Sequence, residues 1–308
     1  MKNILISGSL AYDSIMVFQD YFKNHILPDQ IHKLSVSFFV PELKRNFGGT
    51  AGNIAYNLSL LNSSAIIMAT VGEDFSAYEK RLSKFDIVQD YIKVVSESLT
   101  AQAYITTDLD DNQITAFHPG AMMESHQNSI SSVTEKVDLA IIAPSGKEGM
   151  IKHAQECSEK KIPFIFDPGQ GLPMFDKIEL NAFIDQATYI AVNDYEAELL
   201  MKVSGLSISE IQKKVEAFII TKGAHGSEIY CDNKITIAPI KAESTIDPTG
   251  CGDAYRAGLL YGISNKFSWE DTGKLASVMG SIKIKTQGGQ NHNPSLSEIE
   301  ELFGKKLI

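Results

Sequence analysis

The chain has 308 residues and a formal net charge of −10, from 28 Lys and Arg against 38 Asp and Glu. Hydrophobic residues make up 44% of it and charged residues 21%, which allows a large core and excludes a disordered protein. An acidic chain argues against a general nucleic-acid partner, and no apolar run approaches the ~20 residues of a membrane helix. The spacing of its 3 cysteines matches neither a disulfide framework nor a metal-binding motif. We therefore expect a cytoplasmic protein without a membrane or nucleic-acid partner.

Short apolar runs alternate with helical patterns along most of the chain. These runs lack a clean polar alternation, so the strands are expected to be buried on both faces. Alternating strands and helices predict an α/β fold with a mainly parallel sheet, in which ligands gather at the carboxyl ends of the strands. The predicted strands are 3–7, 65–71, 139–143, 163–167, 189–193 and 217–221, and the predicted helices are 50–61, 75–84, 147–160, 194–203 and 208–215.

Two segments, 15–47 and 99–120, break this alternation and lack good helices. Strands are predicted at 14–18 and 33–40, and a hairpin joins 100–107 to 113–118. We expect one domain, 1–308, to which these segments add a small β-sheet. That sheet could be a lid that excludes water, a homodimer face, or an extra edge of the main sheet.

Two motifs in the first sixty residues could bind a polyol. Asp13 lies near the end of the first strand, where one carboxylate can accept two hydrogen bonds from a vicinal diol; a surface turn is the alternative. Gly48 and Gly49 precede a helix and permit a ligand hydroxyl to approach the backbone. Asn53, in the first helical turn, offers a donor and an acceptor. A plain glycine-rich helix entry stays open for this segment.

Asn193 and Glu196 are three residues apart at a helix start. They suit hydrated Mg²⁺, which takes few protein ligands, and they equally fit a capping box. The same two residues could bind hydrated Mg²⁺ and form a capping box. The glycine-containing turns after Thr221 and around Gly288 could lie against a nucleotide, although each alone is typical of an ordinary loop.

The most informative segment runs from Asp247 to Gly258. Gly250 and Gly252 allow backbone amides at a helix start to face outward, where unpaired donors and the helix dipole attract phosphate. Asp253 could there accept a proton from a nucleophile. A capped helix after a glycine turn is the alternative. The sequence contains neither a P-loop nor a dinucleotide-binding fingerprint.

Together these segments resemble the ribokinase-like (PfkB) family of sugar and nucleoside kinases over essentially the whole chain. The motifs that carry the resemblance are 48–53 and 247–253; segments 32–38 and 117–122 are most similar to bacterial adenosine kinases. The resemblance implies a three-layer α/β/α fold with a β-sheet lid. It also implies transfer of the ATP γ-phosphate to the 5′-hydroxyl of adenosine, with another nucleoside or a free sugar such as ribose as the alternative.

The resemblance implies roles for individual residues. Asp253 would be the catalytic base, beside an anion hole formed by Gly250, Cys251 and Gly252. Mg²⁺ would lie near Glu196 and Asn193, through water, and Asp247 marks a loop that holds a monovalent cation such as K⁺ in several family members. The implied substrate contacts are Ser9, Asp13, Gly48, Gly49, Asn53, Tyr104, Phe117 and Gln170. The implied ATP contacts are Asn193, Thr221, Gly223, Gly226 and Gly288.

Overall fold

A nine-stranded sheet forms the middle layer of the computed structural model, which describes residues 2–26, 33, 35–110 and 112–307. Seven neighbouring strands are parallel, and an antiparallel hairpin extends one edge. In spatial order the strands are β13 (Lys234–Ile237), β12 (Ser227–Tyr230), β11 (Ala217–Thr221), β10 (Tyr189–Asn193), β9 (Phe164–Phe166), β8 (Leu139–Ile142), β1 (Asn3–Ser7), β4 (Ser64–Val71) and β5 (Val88–Val94).

Helices cover both faces of this sheet because its strands are apolar on both sides. The helices are α1 (Thr50–Leu60), α2 (Ser76–Ser83), α3 (Lys147–Glu159), α4 (Lys177–Gln186), α5 (Asp194–Ser204), α6 (Ile208–Gln212), α7 (Cys251–Ser264), α8 (Trp269–Lys283) and α9 (Leu296–Phe303). The hydrophobic core on one face of the sheet includes side chains of α1, α2, α7, α8 and α9, and the core on the other face includes side chains of α3, α4, α5 and α6. The expected three-layer α/β/α arrangement is confirmed. No helix in the described ranges has the length and apolar character to span a membrane.

A second sheet of four strands lies beside the main one, in the order β3 (Glu42–Gly48), β2 (Ala11–Val17), β6 (Ala101–Thr107) and β7 (Gln113–His118). Strand β2 pairs in parallel with β6, and the remaining pairs are antiparallel. Whether this small sheet closes over a ligand stays a prediction.

One predicted strand of the small sheet, 33–40, is wrong where the structure describes it. Residues 35–40 form no strand, and Leu34 lies outside the described residues. The Phe38 ring instead packs on Phe18 and Phe22, at centroid distances of 4.8 and 5.0 Å. The strand beside β2 is β3, whose charged sequence lacks a clear apolar pattern. Side-chain packing therefore outweighs the alternation of apolar residues in 35–40.

Helices α7 and α8 approach closely at Gly258. A Cβ at this position would stand 2.5 Å from Ala276 Cα. We expect Gly258→Ala to lower the free energy of unfolding by about 1–3 kcal/mol, because overpacking outweighs the gain in helix propensity. Urea unfolding measures this loss. Gly280→Ala is the control, since its Cβ would meet Cys251 O at an ordinary 3.7 Å; equal stabilities of the two variants would contradict this packing account.

Candidate active site

The start of α7 is open to a ligand. Gly250 caps the helix with φ of 78°, a left-handed conformation that glycine adopts without strain. A Cβ on Gly252 would meet no atom within 4 Å, so nothing in the described protein occupies the space beside this turn. The amides of Gly250 and Gly252 have no acceptor within the described residues. This combination of free donors, helix dipole and open space suits an anion.

Cys251 does not join this group of donors. Its amide donates to Pro248 O at 3.1 Å and so closes the turn that precedes the helix. Of the three amides expected to form an anion hole, only those of Gly250 and Gly252 are without an acceptor in the described part of the chain. Burial raises the pKa of the Cys251 thiol to about 11, so the side chain stays protonated at neutral pH.

Asp253, in the first turn of α7, carries the carboxylate of the site. Its Oδ2 accepts a hydrogen bond of 2.8 Å from Asn53 Nδ2 on α1. Burial raises the pKa of Asp253 to about 6, against the opposing effect of the Asn53 hydrogen bond. The negative charge of Asp167 also raises this pKa, and the positive charge of Arg256 lowers it. The group is thus ionised at neutral pH and more basic than an exposed aspartate.

A chain of hydrogen bonds fixes Asn53 from behind. Gln290 Nε2 donates to Asn53 Oδ1 at 3.1 Å and to the Tyr78 hydroxyl at 2.6 Å. The Tyr78 hydroxyl in turn donates to Gly48 O at 2.7 Å. Neither Gln290 nor Tyr78 is predicted from the sequence as part of the site, because both are separated from Asn53 in the chain and stand in no local motif. Gln290 stands in a segment that resembles a flexible loop, yet its side chain is buried.

Asp13 lies on the small sheet, facing Gly48 of the neighbouring strand. A Cβ on Gly48 would stand 2.3 Å from Asp13 Oδ2, so only glycine leaves room for this carboxylate. Burial, and then the negative charge of Asp247, raise the pKa of Asp13 to about 6. The charge of Asp13 also raises the pKa of Asp253. The two carboxylates are therefore close enough for the charge of Asp13 to affect the pKa of Asp253.

Strand register sorts the other side chains of the small sheet. Asp13 pairs with Ala103, and Ala103 pairs with Phe117, so these three share one face. Tyr104 is displaced by one residue and therefore points to the opposite face. Its hydroxyl donates to Gln102 Oε1 at 2.7 Å. Phe117 therefore lies on the same face of the small sheet as Asp13, and Tyr104 lies on the opposite face. This placement does not fit the expected contact of Tyr104 with a substrate that Asp13 binds.

Ser9 and Gly49 shape the entry to α1. Ser9 Oγ accepts a hydrogen bond from the Thr50 amide at 3.2 Å, which satisfies one of the free donors of this helix. Gly49 has φ of 83°, and a Cβ there would stand 2.6 Å from Ser9 O. Both residues thus have a structural role at this entry. A base contact by Ser9 stays a prediction.

Asp167 and Arg256 form a buried ion pair beneath the carboxylate of α7. The Arg256 Nε and Nη2 atoms lie 3.1 and 3.2 Å from the two Asp167 oxygens, and Nη2 also donates to Ala191 O at 3.1 Å. This pair connects α7 to the end of β9 and, through Ala191, to the middle of β10. Gln170, expected beside a base, is exposed in the turn after Asp167.

Asn193 and Glu196 form the expected capping box at the start of α5. Asn193 Oδ1 accepts from the Glu196 amide at 2.7 Å, and Glu196 Oε2 accepts from the Asn193 amide at 2.8 Å. Burial and the negative charge of Asp167 nevertheless raise the pKa of Glu196. Excess negative charge at this position fits a cation that keeps its water shell. No cluster of three or more metal-ligating side chains exists in the described ranges.

The glycines expected near ATP differ in their surroundings. Gly223 follows β11 with φ of 53°, and a Cβ there would meet nothing within 4 Å. Gly226 is held by packing, because a Cβ would stand 2.1 Å from Ile237 O. Thr221 ends β11, where its hydroxyl donates to Val192 O at 3.4 Å. The Gly288 amide donates to Asp247 Oδ2 at 2.7 Å. Open space for a ligand is therefore clearest at Gly223.

Known proteins with the same fold are similar over nearly the full length. The nucleoside kinase of Burkholderia thailandensis, solved in complex with inosine, is 48% identical with a TM-score of 0.88, covering 98% of this chain and 99% of that one. The solved nucleoside kinase of Methanocaldococcus jannaschii is 30% identical with a TM-score of 0.90, covering 99% of this chain and 98% of that one. The ribokinase of Bacillus subtilis is 25% identical over 98% of this chain and 100% of that protein.

The family model that describes pfkB family carbohydrate kinases matches residues 10–296, which include both glycine motifs and Asp253. Ribokinase-family structures share the three layers and the second small sheet. This protein therefore belongs to the PfkB family of carbohydrate kinases and has the ribokinase-like fold.

Proposed function

We propose that this kinase transfers the γ-phosphoryl group of ATP to the 5′-hydroxyl of adenosine, giving AMP and ADP. The observation that carries the proposal is the open start of α7, where a raised-pKa carboxylate stands beside unpaired amides. Phosphoryl transfer needs positioning and charge stabilisation more than covalent chemistry, and this arrangement supplies both.

Asp253 acts as the general base. It takes the proton of the 5′-hydroxyl as that oxygen bonds to the γ-phosphorus, and the bond to the ADP oxygen breaks. The amides of Gly250 and Gly252 donate to the transferring group, where negative charge is spread over its oxygens. The Asn53 hydrogen bond holds the Asp253 carboxylate in one orientation, so the base is placed before the substrate arrives.

Asp13 and Asn53 hold the ribose. The Asp13 carboxylate accepts from the two vicinal hydroxyls, Gly48 leaves the room that this carboxylate needs, and the backbone at Gly48 and Gly49 would border the sugar. Phe117, which is 53% exposed on the same face as Asp13, offers an apolar surface for a base. A free sugar would leave this surface without a partner.

Inosine is the second candidate acceptor. The relative from Burkholderia thailandensis, 48% identical, was solved with inosine. Adenosine and inosine share the ribose and the ring system and differ at C6, amino against oxo, and at N1, which is an acceptor in adenosine and a donor in inosine. Asp13, Asn53 and Asp253 would bind both nucleosides alike, so any discrimination between them rests on contacts to the base.

The ATP side extends along the carboxyl ends of β10 and β11, where ligands of open parallel sheets bind. Glu196 and Asn193 would hold Mg²⁺ through its water shell, and the ion would offset the charge of the phosphates. Thr221 and Gly223 would border the nucleotide, with Gly223 allowing close approach. Gly226 and Gly288 support these loops through their own packing and hydrogen bonding.

We also propose that a homodimer can form through the small sheet. Its two outer strands, β3 and β7, have residues that are largely exposed, and unpaired strand edges bind further strands.

A cytoplasmic role in purine salvage fits the three free cysteines, because thiols stay reduced in a reducing compartment.

The pH dependence follows from the two carboxylates. Both Asp13 and Asp253 have a pKa raised to about 6, and both act as ions in this proposal. We expect kcat/KM to fall as the pH drops through about 6 and to be level above about 7, because protonation removes the base and the ribose acceptor. A profile that stays flat down to about pH 5 would contradict these roles.

Asp13→Ala is expected to weaken acceptor binding more than it slows chemistry. The variant loses the hydrogen bonds to the ribose, so KM for the nucleoside should rise by about tenfold or more while KM for ATP stays near its wild-type value. Steady-state kinetics with each substrate varied measures the split. An unchanged KM for the nucleoside would rule out the ribose contact.

Acceptor specificity tests the proposal as a whole. ATP-dependent ADP formation is measured with adenosine, inosine, guanosine, cytidine, ribose and fructose at fixed Mg²⁺. We expect the highest kcat/KM with a purine nucleoside. Turnover confined to free sugars would overturn the nucleoside assignment and leave the kinase fold in place.

A further inference from the structure

Lys283, the last residue of α8, has a fully buried side chain next to the loop that leads into α7. Its Nζ donates to Asp247 O at 2.7 Å and to Thr286 O at 2.9 Å, and it lies 4.0 Å from Asp247 Oδ2. Burying an ammonium group is costly unless oxygen atoms replace its water. Here two carbonyl oxygens and one carboxylate replace that water.

These oxygens belong to two loops that meet at the active site. The amides of Ile246 and Gly288 tie the loops together, donating to Ile284 O at 2.9 Å and to Asp247 Oδ2 at 2.7 Å. The first loop continues directly into Gly250, and Gly289 packs on both Gly250 and Asn53. An interaction that holds these loops therefore positions the amides of the anion hole.

The family resemblance places a monovalent cation at this loop, and the residues present do not fit one. A potassium ion is bound by oxygen ligands such as backbone carbonyls and carboxylates. Here the Lys283 ammonium already uses the carbonyl of Asp247 and stands beside its carboxylate. A second cation beside the ammonium would be repelled by it.

We propose that Lys283 takes the place of the monovalent cation, so that phosphoryl transfer by this protein does not depend on K⁺. An ammonium group carries the same charge as K⁺ and has a similar size, and it binds the same kind of oxygen ligands. Lys283 is thus a positioning residue, which acts through the Asp247 and Gly288 loops and does not touch the substrate. This inference rests on kinase activity and is independent of which acceptor is used.

The test compares three variants with the wild type in buffers whose only variable cation is K⁺ or N-methylglucamine at equal ionic strength. Lys283→Ala removes the ammonium and leaves room for an ion, whereas Lys283→Met fills the room with neutral atoms. Lys285→Ala is the matched control, because Lys285 is a nearby lysine paired with the exposed Glu243 at 3.8 Å. ADP is measured directly by chromatography, so that no coupling enzyme adds its own cation dependence.

We expect wild-type and Lys285→Ala turnover to change by less than about twofold with K⁺. Lys283→Ala should lose about tenfold or more without K⁺ and regain most of its activity with K⁺, and Lys283→Met should lose activity and not regain it. Melting temperature gives a second readout. K⁺ should raise it for Lys283→Ala and leave it unchanged for the wild type.

Three outcomes would overturn the inference: strong K⁺ activation of the wild type, full activity of Lys283→Ala without K⁺, or loss in Lys283→Ala that K⁺ does not restore. The wild-type titration decides the matter even if Lys283→Ala fails to fold. Absence of turnover with every acceptor would instead count against the proposed function, and the melting experiment would still test the cation replacement.

Discussion

Asp253→Asn is expected to lower kcat by about 10²- to 10⁴-fold, the usual contribution of a positioned general base. The amide cannot accept the proton of the 5′-hydroxyl, although it can still accept the hydrogen bond that Asn53 Nδ2 makes to Asp253. KM for both substrates should change far less than kcat, because the contacts that bind them remain. Initial rates with the nucleoside and ATP varied separately measure this effect.

The stability of the same variant separates chemistry from folding. The pKa of Asp253 is raised to about 6, so ionisation at neutral pH opposes folding; this penalty shrinks as the pH falls below about 6 and is gone below the ordinary aspartate pKa of about 4. Asp253→Asn should therefore melt at a higher temperature than the wild type at neutral pH. Asp271→Asn, in the first turn of α8, is a control with near wild-type turnover. Near wild-type turnover of Asp253→Asn would exclude Asp253 as the base.

Gly252→Ala is the second variant with a large expected effect. The added methyl group would enter the space where the phosphoryl group is proposed to bind, since a Cβ there meets no protein atom within 4 Å. A displacement of the reacting group by about 1 Å costs about 10²-fold in rate, and we expect kcat/KM for ATP to fall by about that factor. Kinetics at varied ATP concentration provide the measurement.

The same substitution should leave the fold intact or strengthen it. Alanine is favoured over glycine inside a helix by about 1 kcal/mol, and the new methyl group displaces no side chain. Gly280→Ala, also in a helix and with its Cβ at an ordinary 3.7 Å from Cys251 O, should keep its turnover. If Gly252→Ala retained wild-type kcat/KM for ATP, the phosphoryl group would have to bind elsewhere.

Much of the main sheet could be predicted from the sequence because its signals are local. Apolar runs of five to eight residues and the helices between them each carry their own pattern, and the glycine motif before Asp253 predicts the helix start at which we place the anion site. Gly258 is a further local signal, because a glycine weakens a helix unless close packing requires it, and α7 and α8 approach each other there.

The rest depends on contacts between distant segments. Gln290, 237 residues from Asn53 in the chain, donates to the Asn53 side chain and to the Tyr78 hydroxyl, and neither Gln290 nor Tyr78 stands in a local motif. The face of the sheet on which Tyr104 lies depends on strand register, because a shift of the pairing by one residue moves every side chain of a strand to the opposite face. Lys283 resembles an ordinary helix-ending lysine until the fold brings the Asp247 carbonyl to its ammonium group.

The identity of the reaction product tests the central claim most directly. Phosphorus NMR of a reaction with adenosine, ATP and Mg²⁺ shows which hydroxyl carries the new phosphate, and 5′-deoxyadenosine serves as the matched acceptor without the reacting group. We expect adenosine 5′-monophosphate as the product, with 5′-deoxyadenosine inhibiting the reaction competitively and receiving no phosphate. Phosphate on the 2′- or 3′-hydroxyl, or no transfer to any nucleoside while ribose is phosphorylated, would contradict the placement of Asp253 opposite the 5′-hydroxyl.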